Sequence, residues 1–174
     1  MGRLKIMNYI LCLLLVLLGV ASRLIDHAPN FTPILSIAIM SGLYIKNRMI
    51  VLIPISIMLI SDLFIGSYAI AFWVYTPILI ICILAYFSKN KLSNILFYSF
   101  MGPILFFIVS NFGVWAYGGY GFSLQGLMAC YIAAIPFFKN TLISTFLFSG
   151  LIYMFYNAVK TIFEKNQSSK VLDY

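Results

Sequence analysis

Acidic residues are scarce in this chain. Its 174 residues include 4 Asp and Glu against 11 Lys and Arg, and charged residues make up 9% of the total. Two of the four carboxylates, Glu164 and Asp173, lie in the C-terminal tail. Because glycoside hydrolysis and two-metal catalysis need paired carboxylates, chemistry of that kind is nearly excluded.

Signatures of other enzyme classes are also missing. The sequence contains no HExxH, GxSxG or Walker motif. Its three cysteines, Cys12, Cys82 and Cys130, show neither CxxC nor Cys/His metal spacing, and His27 is the single histidine. We therefore predict that the protein is not an enzyme and that it has no catalytic residues, cofactor or metal. If it transports a solute, its energy comes from a partner or an ion gradient.

Apolar residues dominate what is present. They make up 63% of the chain, and the mean hydropathy is +1.04. A soluble domain of this size cannot hide so much apolar surface, so we predict an all-α integral membrane protein. The net charge of +7 does not indicate nucleic-acid binding, because the basic residues flank apolar runs instead of forming a patch.

Six apolar runs predict six transmembrane helices in a single domain, residues 1–174. The predicted spans are about 6–22, 34–45, 49–65, 69–87, 95–116 and 141–160. Nine of the eleven basic residues then fall on one side: Arg3, Lys5, Lys46, Arg48, Lys89, Lys91, Lys160, Lys165 and Lys170. Since cytoplasmic loops are rich in Lys and Arg, both termini are predicted to be cytoplasmic, in a bacterial inner membrane.

The outer segment 117–140 contains an apolar stretch, residues 124–138, of ambiguous role. As a seventh span it would place the tail lysines outside, against the charge rule. With fifteen residues and Pro136 near its end, it is also short for a span. We therefore expect a re-entrant or interfacial helix over the outer face, before the last span.

Unusual polar and aromatic residues collect on the predicted outer side. Aromatic walls with a few fixed polar groups are typical of small-molecule pockets, and an interfacial aromatic belt with solvated loops is the alternative. We predict a substrate-binding site formed by Arg23, Asp26, His27, Asn30, Trp73, Asn111, Trp115, Tyr117 and Lys139.

Asp62 is the only acidic residue within a predicted span. An intramembrane carboxylate indicates a functional group, but a carboxylate near a helix end can also reach the interface or pair with Arg23. We expect an interhelical hydrogen bond from Asn111. For His27 and Cys130, ordinary loop and packing roles are favoured over metal ligation.

Four segments carry a family resemblance: RLIDHAPNFTPILSIAI, LISDLFIGSY, SNFGVWAYGGYG and GLMACYIAAIPFFKNTL. Together they resemble an uncharacterised bacterial inner-membrane family described only as transport proteins. The chain is more distantly similar to the substrate-binding S components of energy-coupling-factor vitamin transporters. That resemblance implies six helices, cytoplasmic termini and an outer site built from the first loop, the turn after span three and the segment before span six.

The same resemblance implies a transmembrane coupling protein with ATPases as partner. S components often present alanines four apart on span one to this partner, whereas span one here has Gly19 and Ala21 without such a pair. We predict uptake of a vitamin-like small molecule, with a corrinoid as one candidate because His27 or Cys130 can meet cobalt. The first outer loop or residues 124–138 would act as a lid. The alternative is a non-transporting scaffold in a cell-envelope complex.

Overall fold

The computed structural model describes residues 2–45, 47–66 and 68–172, with side chains described for most of residues 12–162. Every regular element in these residues is helical. The six α-helices are α1 (Gly2–Leu24), α2 (Ile34–Tyr44), α3 (Leu52–Ile65), α4 (Ala71–Phe87), α5 (Leu92–Ala116) and α6 (Leu124–Leu172), and a 3-10 turn (Arg48–Val51) precedes α3. The all-helical class and the presence of six helices are confirmed.

Successive helices alternate in direction, so the connections gather at two ends of the bundle. Among the described residues, the connections 25–33, 66 with 68–70, and 117–123 lie at one end, called the long-loop end. The connections 45 with 47–51, and 88–91, lie at the other end, called the short-turn end. Lys89 and Lys91 lie at the short-turn end, and Arg23 lies at the long-loop end. The side chains of Arg3, Lys5, Lys46, Arg48, Lys165 and Lys170 lie outside the described residues.

Helix α2 is the centre of the bundle. It packs against each of the other five helices, and its residues from Ile34 to Leu43 are buried. Gly42 permits this packing, because a Cβ there would lie 2.5 Å from the Cys82 carbonyl oxygen of α4. This helix therefore has a face that packs closely against α4. With 11 residues, α2 is about 16 Å long, which is too short to cross a bilayer core alone.

Helix α6 contradicts the prediction of a separate outer helix. Residues 124–138 belong to one continuous helix that runs from Leu124 to Leu172 and contains Pro136. The Tyr131 hydroxyl donates to the Ile108 carbonyl at 2.6 Å, and the Phe107 ring packs on Phe138 at 5.0 Å between centroids. This segment therefore lies along the second half of α5. Those contacts support the helix through the proline, where one backbone donor is missing.

Large apolar side chains cover the outside of the bundle. They are exposed on α1, α3, α4, α5 and α6, for example Leu63 at 82% and Phe155 at 55%. Two of the described helices, α5 and the part of α6 from Leu124 to Ile162, are long and apolar enough to cross a membrane. By length and composition, these two helices indicate membrane association.

Candidate functional site

A cavity of about 330 Å³ opens at the long-loop end, and all six helices contribute to its wall. Its polar lining comes mainly from the end of α1 and from the connections that follow α1 and α3. The polar lining residues are Arg23, His27, Asn30, Thr32, Tyr68 and Thr141. His27 and Asn30 are exposed, so they form the mouth of the cavity, whereas Thr141 is buried and lies deeper.

The rest of the wall is apolar. It consists of Ile34, Leu35, Met58, Ile65, Val74, Ile78 and Phe106. A concave site of a few hundred Å³, mainly apolar with a few convergent polar groups, is typical of small-molecule binding. The cavity therefore has the size and the composition of a ligand site.

Arg23 is held at the cavity wall by α3. Its Nη1 lies 2.8 Å from Asp62 Oδ1, an ion pair without hydrogen-bond alignment, and donates to the Met58 carbonyl at 3.3 Å and to the Ser61 hydroxyl. The Arg23 and Asp62 side chains are only 14% and 10% exposed. The predicted pairing of Asp62 with Arg23 is therefore confirmed. The ion pair is electrically neutral.

The Asp62 carboxylate also links α3 to α4, because the Tyr75 hydroxyl donates to Oδ2. Tyr68 lies in the connection between these helices, close enough for both charges to affect the pKa of its hydroxyl. Burial, and then the Asp62 charge, raises the pKa of the Tyr68 hydroxyl, while Arg23 acts in the opposite direction. The guanidinium, the carboxylate and the two phenols thus form one network at the cavity wall.

The first connection holds His27 in one tautomer. Its Nδ1 lies 2.6 Å from the Ile25 carbonyl oxygen, which can only accept, so Nδ1 carries a proton. In the neutral ring Nε2 is then an acceptor, and after protonation it becomes a donor. His27 thus places a ring nitrogen at the cavity mouth.

Two contacts fix the same connection over the bundle. The Asn140 side-chain amide of α6 donates to the Pro29 carbonyl at 3.0 Å, and the Phe31 ring packs edge-on against Phe148 at 5.9 Å. Asn30 turns the chain with φ +61°, a conformation that asparagine tolerates better than most residues. These contacts therefore hold the connection in a defined conformation over the end of the bundle.

Three of the nine predicted site residues, Arg23, His27 and Asn30, are brought together around the cavity. The other six do not line it: Asp26, Trp73, Asn111, Trp115, Tyr117 and Lys139. Asp26, Tyr117 and Lys139 are exposed to the surroundings of the bundle. The structure thus gathers three of the nine predicted residues at the cavity and places several of the others on other faces of the same end.

Both predicted tryptophans pack in an aromatic cluster on α4, α5 and the connection after α5. Trp73 packs on Phe112 at 5.2 Å, and Trp115 packs on Phe112 at 5.5 Å and on Phe122 at 6.2 Å. Gly113 allows Trp73 to approach, since a Cβ there would lie 2.3 Å from the indole. Among the described residues, the buried Trp115 Nε1 has no hydrogen-bond partner. We call these four rings the aromatic cluster.

Asn111 and Cys130 meet at the α5–α6 contact. The Asn111 side-chain amide donates to the Phe107 carbonyl of its own helix at 2.7 Å, and no interhelical bond from this side chain is found within the described part of the chain. An asparagine in a helix satisfies its amide in this way when a carbonyl one turn earlier is within reach. The buried Cys130 thiol donates to the Asn111 backbone carbonyl at 3.4 Å, which agrees with a packing role.

Thr32, Tyr68 and Thr141 line the cavity but were not included in the predicted site. For Thr141 a signal existed, because Thr141, Thr145 and Ser149 recur every four residues on α6 and all three are buried. Small polar residues at that spacing mark the interior face of an apolar helix.

The arrangement provides hydrogen bonds and one ion pair, but it does not assemble a metal-binding group. Within the described residues, no three His, Cys, Asp or Glu side chains come together. The carboxylate near the cavity, Asp62, is engaged by Arg23 and Tyr75. The site can hold a small molecule through donors at its mouth and apolar groups at its base.

Fold and site together define a six-helix bundle with an apolar exterior and a mixed polar and apolar cavity at one end. The chain belongs to a family of unknown function, DUF6580, whose model matches residues 4–168. No curated protein and no solved structure matches the chain. The membership agrees with the predicted uncharacterised family.

Proposed function

We propose that this protein captures a small, vitamin-like solute in the long-loop-end cavity and passes it into the cell. The observation that carries the proposal is the cavity itself, which joins Arg23, His27 and Asn30 to an apolar base. Such a mixture favours an organic compound with both a polar group and an apolar body.

The proposal includes a multi-pass membrane protein in a bacterial inner membrane, with six spans, the long-loop end outside and both termini inside. Exposed apolar side chains on five of the six helices support this placement. The short helix α2 is compatible with it, because a helix enclosed by protein need not match the bilayer thickness. The basic turns at the short-turn end would then face the cytoplasm.

The connection 25–33 would be the lid of the cavity. It supplies three lining residues and is tied to α6 by the Asn140–Pro29 hydrogen bond. Residues 124–138 are the weaker candidate, since none of them lines the cavity. Opening the lid therefore requires breaking one hydrogen bond and the Phe31–Phe148 ring contact.

The energising partner would be a transmembrane coupling protein with ATPases, as in energy-coupling-factor transporters. Gly19 is not available as its docking residue, because a Cβ there would lie 2.5 Å from Ile57 of α3. Ala21 is exposed and remains available. A corrinoid remains one candidate solute, with His27 as its possible cobalt ligand at the mouth.

A scaffold in an envelope complex is the second candidate function, and one observation favours it. An apolar groove of about 430 Å³ lies on the side of the bundle between α1 and α6. Leu14, Leu18, Phe148 and Leu151 are among the residues that line it. If the protein is a scaffold that binds no solute, a helix of its partner would occupy this groove.

Native mass spectrometry of the gently purified protein tests the two candidates. Val74→Phe fills the cavity, and Ile80→Phe is the matched control, because Ile80 is on the same helix but is 37% exposed outside the cavity. We expect a small molecule bound to the wild type and to Ile80→Phe but lost from Val74→Phe. A stoichiometric protein partner, with no small molecule in any of the three, would favour the scaffold and contradict the proposal.

A further inference from the structure

We infer that the solute is a small monocarboxylate with an apolar body, bound through its carboxylate to Arg23. The inference rests on the proposed function of the cavity and adds the chemical class of the ligand. It is carried by the charge of the lining residues, by the donors of Arg23 on Nε and Nη2, and by the apolar base.

Charge comes first. Arg23 is the one residue with a permanent charge among the described residues that line the cavity, and no carboxylate is among them. Its counter-ion, Asp62, is not among the lining residues, so a cationic ligand would meet the guanidinium of Arg23 and no lining carboxylate. An anionic group can instead bind the guanidinium from the cavity side.

The second argument is the donor geometry of Arg23. A guanidinium carries five N–H donors, and the contacts with Asp62, Met58 and Ser61 all involve Nη1. The other three donors are on Nε and Nη2. A planar fork of two parallel N–H groups matches a carboxylate, so a second carboxylate can bind beside Asp62.

Further donors surround this position. The Tyr68 hydroxyl lies on the same wall and interacts with Arg23, and Thr32 lies near the mouth. His27 adds a ring nitrogen at the mouth. A carboxylate, which only accepts, fits a wall whose charged group only donates.

The apolar base of the cavity determines the chemical character of the rest of the ligand. Val74, Ile78 and Phe106 line the cavity from α4 and α5, and they offer no hydrogen bond through their side chains. A highly charged solute such as a phosphate ester would leave its remaining charges against these groups at a large cost. A monocarboxylate with a branched or aromatic body fills both parts of the cavity.

The pairing of Asp62 with Arg23 leads to a testable consequence for carboxylate binding. Asp62 neutralises Arg23 in the structure, so it competes with the ligand for the guanidinium. Removing the Asp62 charge should therefore strengthen carboxylate binding, although it weakens the bundle. A purely structural role for the pair would predict the opposite, because disorder of the Arg23 side chain would weaken binding.

Calorimetric titration with three matched probes tests the class. The probes are 3-phenylpropanoate, its neutral amide 3-phenylpropanamide, and the cation 3-phenylpropylamine, each added near neutral pH to the detergent-purified full chain freed of copurified solute. We expect saturable binding of the carboxylate, and weaker binding of the amide and the amine by about tenfold or more. Val74→Phe should abolish the carboxylate signal, while Ile80→Phe retains it.

Two charge variants complete the test. Arg23→Lys keeps the positive charge but loses the fork, and we expect carboxylate binding about tenfold weaker. Asp62→Asn should bind the carboxylate more tightly than the wild type. Equal or stronger binding of the amide or the amine, no binding of the carboxylate up to millimolar concentration, or weaker binding by Asp62→Asn would each overturn the inference. The copurified molecule in native mass spectrometry judges the proposed function separately from these outcomes.

Discussion

Two regions at the long-loop end look alike in composition but differ in structure. Both contain residues of the predicted site: the cavity contains Arg23, His27 and Asn30, and the aromatic cluster contains Trp73 and Trp115. The cavity keeps about 330 Å³ open beside the Arg23–Asp62 pair, whereas Trp73 closes on Gly113 and leaves no room for a Cβ. Polar and aromatic composition therefore identifies the end of the bundle where a site lies, but packing decides which face holds the site.

The largest expected difference between the two regions concerns the ion pair. Arg23→Gln leaves the Asp62 carboxylate without its counter-ion, because Asp62 is only 10% exposed. We expect the free energy of unfolding to fall by about 3–5 kcal/mol. Thermal or denaturant unfolding in detergent measures this loss.

The double variant Arg23→Gln/Asp62→Asn provides the control. It removes both charges, so we expect it to recover much of the loss. Lys139→Gln removes an exposed cation of α6 and should change stability by less than about 0.5 kcal/mol. If the losses of the two single variants simply added in the double variant, the ion pair would not hold the cavity wall.

The aromatic cluster should respond to overpacking, with a smaller effect. Gly113→Val places new atoms where Trp73 already lies, and we expect a loss of about 1–3 kcal/mol in unfolding free energy. Gly119→Val is the matched control, since nothing lies within 4 Å of a Cβ there. The bound solute should persist in Gly113→Val. Loss of the bound solute from Gly113→Val with unchanged stability would indicate that the solute binds at the aromatic cluster and not in the cavity.

The smallest effect concerns the alkaline limit of stability. The pKa of Tyr68 is raised in the folded protein, so above the ordinary pKa of tyrosine the unfolded chain loses this proton first. Stability therefore falls as pH rises through the ordinary pKa toward the raised one. Tyr68→Phe should flatten part of that fall in unfolding curves recorded as a function of pH. An unchanged alkaline slope would mean that Tyr68 ionises equally well in both states.

Much of the fold follows from the sequence. The predicted spans 34–45, 49–65, 69–87 and 95–116 agree with α2 to α5 within a few residues, because two charged turns and one turn that begins with Gly66 interrupt the apolar runs. The last helix was divided at Pro136 and Lys139, which usually mark a boundary. Contacts of Tyr131 and Phe138 with α5 support the helix across this point, and such contacts are invisible in a single sequence.

The site was predictable only in part, for a related reason. The first loop places Arg23, His27 and Asn30 within eight residues, so their shared position follows from chain connectivity. Helices α4 and α5 are apolar around their whole circumference, and periodicity then does not reveal which face is internal. Trp73, Asn111 and Trp115 were consequently assigned to the pocket, although they lie outside it.

The most direct test is a crystal structure of the full chain purified in mild detergent with its copurified solute. We predict non-protein density in the long-loop-end cavity, with an acidic group on Arg23 and an apolar body against Phe106. An empty cavity, with the solute bound instead at the aromatic cluster or in the groove between α1 and α6, would contradict the account.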